Sequence, residues 1–175
     1  MNILFAGTPE PSAKLLQALV KNNNINIIGV ITKPDIAQNR GKKIQQSQVS
    51  FAASETNLPI YKPDNLNSLE FRQTLLQLDF DFLVVAAYGK IIPDWMLESP
   101  KIMSINVHYS LLPKYRGASP IQSCLLNGDK KTGITFIKMS NKLDEGECIQ
   151  KYEIEVHPDH NKITLEDELC NLAIE

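Results

Sequence analysis

Residues 2–32 place the tightest limit on what this chain can become. "NILFAG" (2–7) is a short apolar run closed by Gly7, and "INIIGVIT" (25–32) is a second such run. Between them Leu15, Leu16, Leu19 and Val20 recur at helical spacing. Thr8 suits the helix N-cap, Pro9 the first helical position, and Glu10 the positive end of the helix dipole. A strand–helix–strand opening predicts a parallel pair joined by a right-handed crossover.

The alternation continues. "VSFAASETN" predicts a helix, "LPIYKP" a short strand and "SLEFRQTLLQL" another helix. "DFLVVAAYG" (81–89) is continuously apolar, as a strand buried on both faces would be. "PDWMLES" predicts a short helix, "KIMSINVH" a strand, "ASPIQSCLLNG" a helix, and "TGITFIKMS" and "GECIQKYEIEV" two late strands. The pattern is that of an α/β domain with a mainly parallel central sheet flanked by helices. In such a sheet a ligand crevice forms beyond the strand C-termini. Near the end, Thr164 and Asp167 have the spacing of a helix capping box.

Composition narrows the class. A chain of 175 residues fits one domain, and no run approaches the roughly 20 apolar residues of a membrane span. "MNILFAGTPEPS" lacks the basic start and cleavage site of a secretion signal and reads as a first core strand. Cys124, Cys148 and Cys170 are widely spaced and form no CxxC pair, which predicts reduced thiols, a cytoplasmic setting and no zinc cluster. "HPDH" (157–160) reads as a solvated loop, and Trp95, Met96 and Cys124 as packing residues. Ten acids against Lys151 and Lys162 give residues 144–175 a charge of −8, leaving +6 on residues 1–143. A polyanionic partner would be drawn to the earlier part. Residues 33–48, "KPDIAQNRGKKIQQSQ", read as a long polar loop of the functional or disordered kind.

The chemistry concentrates after "KIMSINVH". Strand alternation sets Ile102, Ser104, Asn106 and His108 on one face, and the apolar Met103, Ile105 and Val107 on the core face. Asn106 supplies an amide donor and His108 an imidazole; two donors at i, i+2 can grip one oxygen as it gains negative charge. An Asn-x-His pair is also a commonplace end to a hydrogen-bonded strand, but "SLLPKYRG" follows it. That turn is stiffened by Pro113; Leu111 and Leu112 can wall a flat apolar ligand, and Lys114 and Arg116 can attract anions. A carboxylate is needed to orient the imidazole. Asp144, in a turn where Gly146 gives backbone freedom, is favoured, but spacing does not separate it from Glu145 or Asp129.

"FAGTPEPS", "RGKK" (40–43), "AAYGKIIP" (86–93), "INVHYSLLPKYRGASPIQ" (105–122) and "TGITFIKMSNKLDEG" (132–146) occur in that order. Together they closely resemble the methionyl-tRNA formyltransferases, over essentially the whole chain. The resemblance implies a Rossmann-like formyltransferase fold. It also implies transfer of a formyl group from 10-formyltetrahydrofolate to the amino group of methionine on initiator tRNA, with no metal. Asn106, His108 and Asp144 match the family's catalytic trio, the first two stabilising the oxyanion and the third positioning His108. Ser110, Leu111, Leu112 and Pro113 match its tetrahydrofolate-binding signature, and Tyr88, Gly89, Lys90 and Ile91 would face the folate ring. Arg40, Lys42 and Lys43 match the segment that contacts the tRNA acceptor end. The family pattern makes residues 1–175 one catalytic domain, a monomer that ends before a β-rich tRNA-binding domain.

Two departures stand out. Tyr109 replaces a usually small residue, predicting some crowding, and "IQQSQVS" lacks the family's prolines and lysine there. The same trio serves formyltransferases acting on a sugar-nucleotide amine or glycinamide ribonucleotide, and a formyltetrahydrofolate hydrolase. "AGTPE" and "RGKK" favour the tRNA enzyme, and the hydrolase's N-terminal regulatory domain is not present. A noncatalytic nucleotide-binding module is the alternative from another class, but "AGTPEP" has one glycine where the dinucleotide fingerprint needs three.

Overall fold

A computed structural model describes residues 1–38 and 43–175. The predicted opening is present as β1 (Asn2–Gly7), α1 (Glu10–Lys21) and β2 (Asn26–Ile31). There follow β3 (Ile36–Gln38), β4 (Lys43–Gln45), α2 (Gln48–Glu55), β5 (Ile60–Tyr61), α3 (Leu69–Leu76), β6 (Phe82–Ala86) and α4 (Asp94–Leu97). The chain then forms β7 (Met103–His108), α5 (Pro120–Leu126), β8 (Lys131–Lys138), β9 (Cys148–Glu155) and α6 (Lys162–Ile174). Seven strands lie in the order β5-β2-β1-β6-β7-β8-β9. The five strands from β5 to β7 are parallel, while β8 and β9 run antiparallel to their neighbours.

Both faces of the sheet are covered, which explains the unbroken apolar runs. On one face Ala13, Leu15 and Leu16 of α1 and Val49, Ala52 and Ala53 of α2 pack on Ile3, Phe5, Ile27 and Val30. On the other, Phe71 and Leu75 of α3 and Met96 of α4 pack on Leu4, Ala6, Ile31 and Leu83. Fully burying one such side chain contributes about 1.5–3 kcal/mol. Leu165 and Leu169 of α6 close a third cluster with Ile121 and Ile134. That helix is tied to α1 by Lys14–Asp167 at 2.7 Å and by the Cys170 thiol donating to Pro11 O at 3.4 Å.

Several expectations change. Residues 33–48 are not simply a loop: β3 and β4 pair as an antiparallel ribbon, and α2 starts at Gln48, capped by Ser47 Oγ accepting from Ser50 N at 2.9 Å. Thr8 does not cap α1, because its hydroxyl donates across the sheet end to Tyr88 O at 2.8 Å; Pro9 takes the N-cap position. Strand β6 stops at Ala86, where Ala87 turns to φ 45°. The capping box of α6 lies one turn earlier than Thr164 and Asp167. Asn161 Oδ1 accepts from Ile163 N and Thr164 N, and Thr164 Oγ1 accepts from Asn161 N. The two faces of β7 also differ from expectation: Ser104 and His108 are buried while Met103 and Ile105 are half-buried. Ser104 is accommodated there by donating its hydroxyl to Leu97 O at 2.7 Å.

Candidate active site

The last turn of β7 carries Asn106 and His108 on one face, and the loop of residues 139–147 folds back over them. Gly146 permits this return, though by space rather than by an unusual φ: a Cβ there would stand 1.7 Å from Lys138 O. Asp144 thereby reaches the strand end and is nearly enclosed, with 7% of its side chain exposed. Its Oδ1 accepts from Asn106 Nδ2 at 3.3 Å. Its Oδ2 accepts from Gly117 N at 2.7 Å and lies 3.6 Å from His108 Nδ1. The other imidazole nitrogen, Nε2, pairs with Tyr115 O at 3.0 Å.

Geometry separates the three acids that spacing could not. Asp144 meets the imidazole. Glu145 accepts from Arg116 at 2.9 Å, and Asp129 accepts from the Tyr115 hydroxyl at 2.8 Å and from Lys114 at 3.2 Å. Lys114 and Arg116 are therefore partnered cations. The phenol first, and then Lys114, hold the Asp129 carboxyl below the usual range. Of the four non-glycine residues with positive φ among the described residues, Tyr115 and Asp144 belong to this corner and Ala87 follows the neighbouring strand β6. Backbone held in such sparsely populated regions concentrates at functional sites. An amide, an imidazole and a carboxylate gathered at one strand end can bind and stabilise an oxyanion and manage a proton beside it.

The remaining candidates are placed more unevenly. Ser110 is wholly buried and braces its own turn, donating to Lys114 O at 2.6 Å while its carbonyl accepts from Thr135 Oγ1 at 2.7 Å. Leu112 is buried too; its N–H donates to Thr135 Oγ1 and its carbonyl accepts from Lys151 Nζ. Leu111 is half-buried and Pro113 exposed. Tyr88 is 1% exposed, and Lys90 Nζ donates to Pro63 O and Asp64 O, each at 2.9 Å. Gly89 lies under the Lys33 ammonium. Ile91, at 92% exposure, is the open side chain of that segment. Arg40 and Lys42 lie outside the described residues, and of Lys43 only its backbone place in β4 is described. His160 pairs with Glu168 at 3.0 Å and its Nδ1 accepts from His157 N.

A cleft of about 370 Å³ was missed in the sequence. It is lined by Asp94, Leu97, Ser104, Lys138, Met139 and Ser140 among others. Ser104 is two residues before Asn106 on the same strand face, but the cleft lies at the start of β7 and none of Asn106, His108 and Asp144 lines it. The one available signal was that Ser104 shares the polar face.

The sequence profile of the formyl transferase family matches residues 1–174. The chain belongs to that family. It is 42% identical over 175 residues to the methionyl-tRNA formyltransferase of Clostridioides difficile (strain 630), covering all of this chain and 56% of that protein. The methionyl-tRNA formyltransferase of Buchnera aphidicola is 44% identical over 99% of this chain and 54% of the relative. The chain thus spans about half the length of the curated relatives it matches.

Among solved structures, phosphoribosylglycinamide formyltransferase of Bacillus halodurans superposes with a TM-score of 0.81 at 17% identity, covering 99% of this chain and 90% of that one. The sugar 3N-formyl transferase WlaRD, solved in the presence of dTDP and 5-N-formyl-THF, gives 0.72 at 21% identity, over 99% and 59% of the two chains. They show a shared fold. In this formyl transferase family member Tyr109 does not crowd the trio. Alternation turns it away from His108, into the clusters beneath α1 and α6, where burial and the neighbouring Cys170 and Glu166 raise its pKa.

Proposed function

We propose that this chain transfers a formyl group from 10-formyltetrahydrofolate to the amino group of methionine on initiator tRNA. The observation that carries the proposal is the meeting of Asn106, His108 and Asp144 at one strand end. The name of the 42%-identical relatives supports the choice of acceptor.

In this mechanism the donor's ring system lies against residues 88–91 and 110–113 and its formyl oxygen points at Asn106 Nδ2 and His108 Nδ1. The neutral amine attacks the formyl carbon; a C–N bond forms and the carbonyl pair moves onto oxygen, where the two donors hold it. The amine proton passes to Asp144, directly or through one water. The oxyanion then collapses, the bond from carbon to folate N10 breaks, and N10 takes up the proton. The Asp144 carboxylate lies 3.3 Å from Asn106 Nδ2 and 3.6 Å from His108 Nδ1, so the formyl oxygen shares both donors with it. Recognition of tRNA is assigned to Arg40, Lys42 and Lys43, and folate contacts to residues 88–91 and 110–113. A β-rich tRNA-binding domain following residue 175 in the whole protein belongs to the same proposal.

Formyl transfer assayed with labelled donor and methionyl-tRNA tests this. His108→Ala and Asn106→Ala are each expected to lower turnover by about two to three orders of magnitude, as for loss of an oxyanion donor. Turnover equal to the parent in either variant would refute the assigned roles. Transfer only to glycinamide ribonucleotide or an amino-sugar nucleotide would refute the acceptor.

A further inference from the structure

His108 is gripped on both sides, and the second grip has its own support. Tyr115 O faces Nε2 at 3.0 Å from a residue in the left-handed region, at φ 58°. A tyrosine stays in that region only when its surroundings over-determine it. The Tyr115 hydroxyl donates to Asp129 Oδ2 at 2.8 Å and accepts from Asn127 Nδ2 at 3.0 Å. Lys114 adds an ion pair to the same carboxylate oxygen, and Ser110 anchors Lys114 O.

We propose that Tyr115 and Asp129 are positioning residues for His108. Asp129 holds the phenol, the phenol fixes the strained backbone of Tyr115, and the Tyr115 carbonyl takes the Nε2 proton. With Nε2–H so held, Nδ1 is the nitrogen turned toward Asp144 and the formyl oxygen, and it donates there with the ring as imidazolium and Asp144 as its counter-ion. The hydrogen bond made by one imidazole nitrogen decides what the other can do. Without the clip, the carbonyl leaves Nε2 and the ring turns about χ2, so that the wrong nitrogen or the wrong angle meets the formyl oxygen. The phenol–carboxylate contact is itself favourable: it lowers the Asp129 pKa and, through the same hydrogen bond, raises that of Tyr115. The proposal rests on His108 being the working imidazole, and its test reads the ring directly.

The experiment is histidine-selective 15N NMR of the parent, Tyr115→Phe, Asp129→Leu and Asp129→Asn, beside their kinetics. In the parent, His108 Nε2–H is expected to be protected from solvent exchange, the signal being assigned by its loss in His108→Ala. Tyr115→Phe and Asp129→Leu should lose it and lower kcat about tenfold, with KM for the donor nearly unchanged, as for a mispositioned group. Asp129→Asn keeps an acceptor for the phenol and should retain both. A cooperative urea unfolding transition marks a folded variant, because His157 and His160 line a pocket with Asp129 and would report the substitution itself. Persistence of the protected proton in folded Tyr115→Phe and Asp129→Leu overturns the clip. Loss of the proton with full turnover supports the clip and overturns instead the catalytic role of His108.

Discussion

Tyr88 shows how one side chain can be tied at one end and orphaned at the other. Its carbonyl accepts from Thr8, yet its hydroxyl is buried with no hydrogen-bond partner among the described residues. Burial pushes its pKa up to about 12. The sign is fixed by proton counts. Below about pH 10 both folded and unfolded chains keep the proton, and between about 10 and 12 only the folded chain does. Stability therefore falls as pH rises through that window, by about 1.4 kcal/mol per pH unit. Tyr88→Phe should remove that part of the alkaline slope and, by deleting an unpaired polar group, stabilise the fold at pH 7 by about 1 kcal/mol. Urea denaturation at pH 7 and pH 11 measures both; a variant less stable at pH 7 would mean that the hydroxyl has a partner in solution.

Gly133 links a pair of strands to the site. A Cβ there would stand 1.9 Å from Tyr152 O and 2.8 Å from Leu111 Cδ2, so β8 and β9 pack against each other and beneath the Leu111 turn only without it. Gly133→Ala should cost about 3 kcal/mol in chemical denaturation, as overpacking does, and loosen that turn. An unchanged denaturation midpoint would show that the ladder yields freely. Elements of this kind were legible in the sequence because apolar periodicity records which face is buried, and every helix of the doubly covered sheet left that trace. Ends were less legible: Thr8 spends its hydroxyl on Tyr88 O, which only folding brings near, and Thr164 serves as the N3 partner of Asn161 rather than as the cap itself. The trio was half legible: alternation put Asn106 and His108 together. The choice among Asp144, Glu145 and Asp129 depended on a loop whose return path is set by clearance at Gly146, which spacing does not encode. The cleft at Ser104 was hidden because its walls come from the separate segments 94–104 and 138–141.

Across the whole molecule the sheet order sorts charge. The acid-rich residues 144–175 form β9 at one edge and α6 beside it, whereas the ribbon of β3 and β4, with lysines and an arginine in its sequence, springs from β2 next to the opposite edge. Arg40→Ala is expected to weaken use of tRNA and to flatten the plot of log affinity against log salt by about 0.7 to 0.9, one phosphate contact. Identical slopes in variant and parent would remove Arg40 from the interface. With +6 on residues 1–143 and −8 on residues 144–175, a polyanion such as the proposed tRNA partner would pull on one part of the chain and repel the other, exerting a torque as well as a pull. Such a torque would turn β9 and α6 outward before contact, a bias that fades as salt shortens the field.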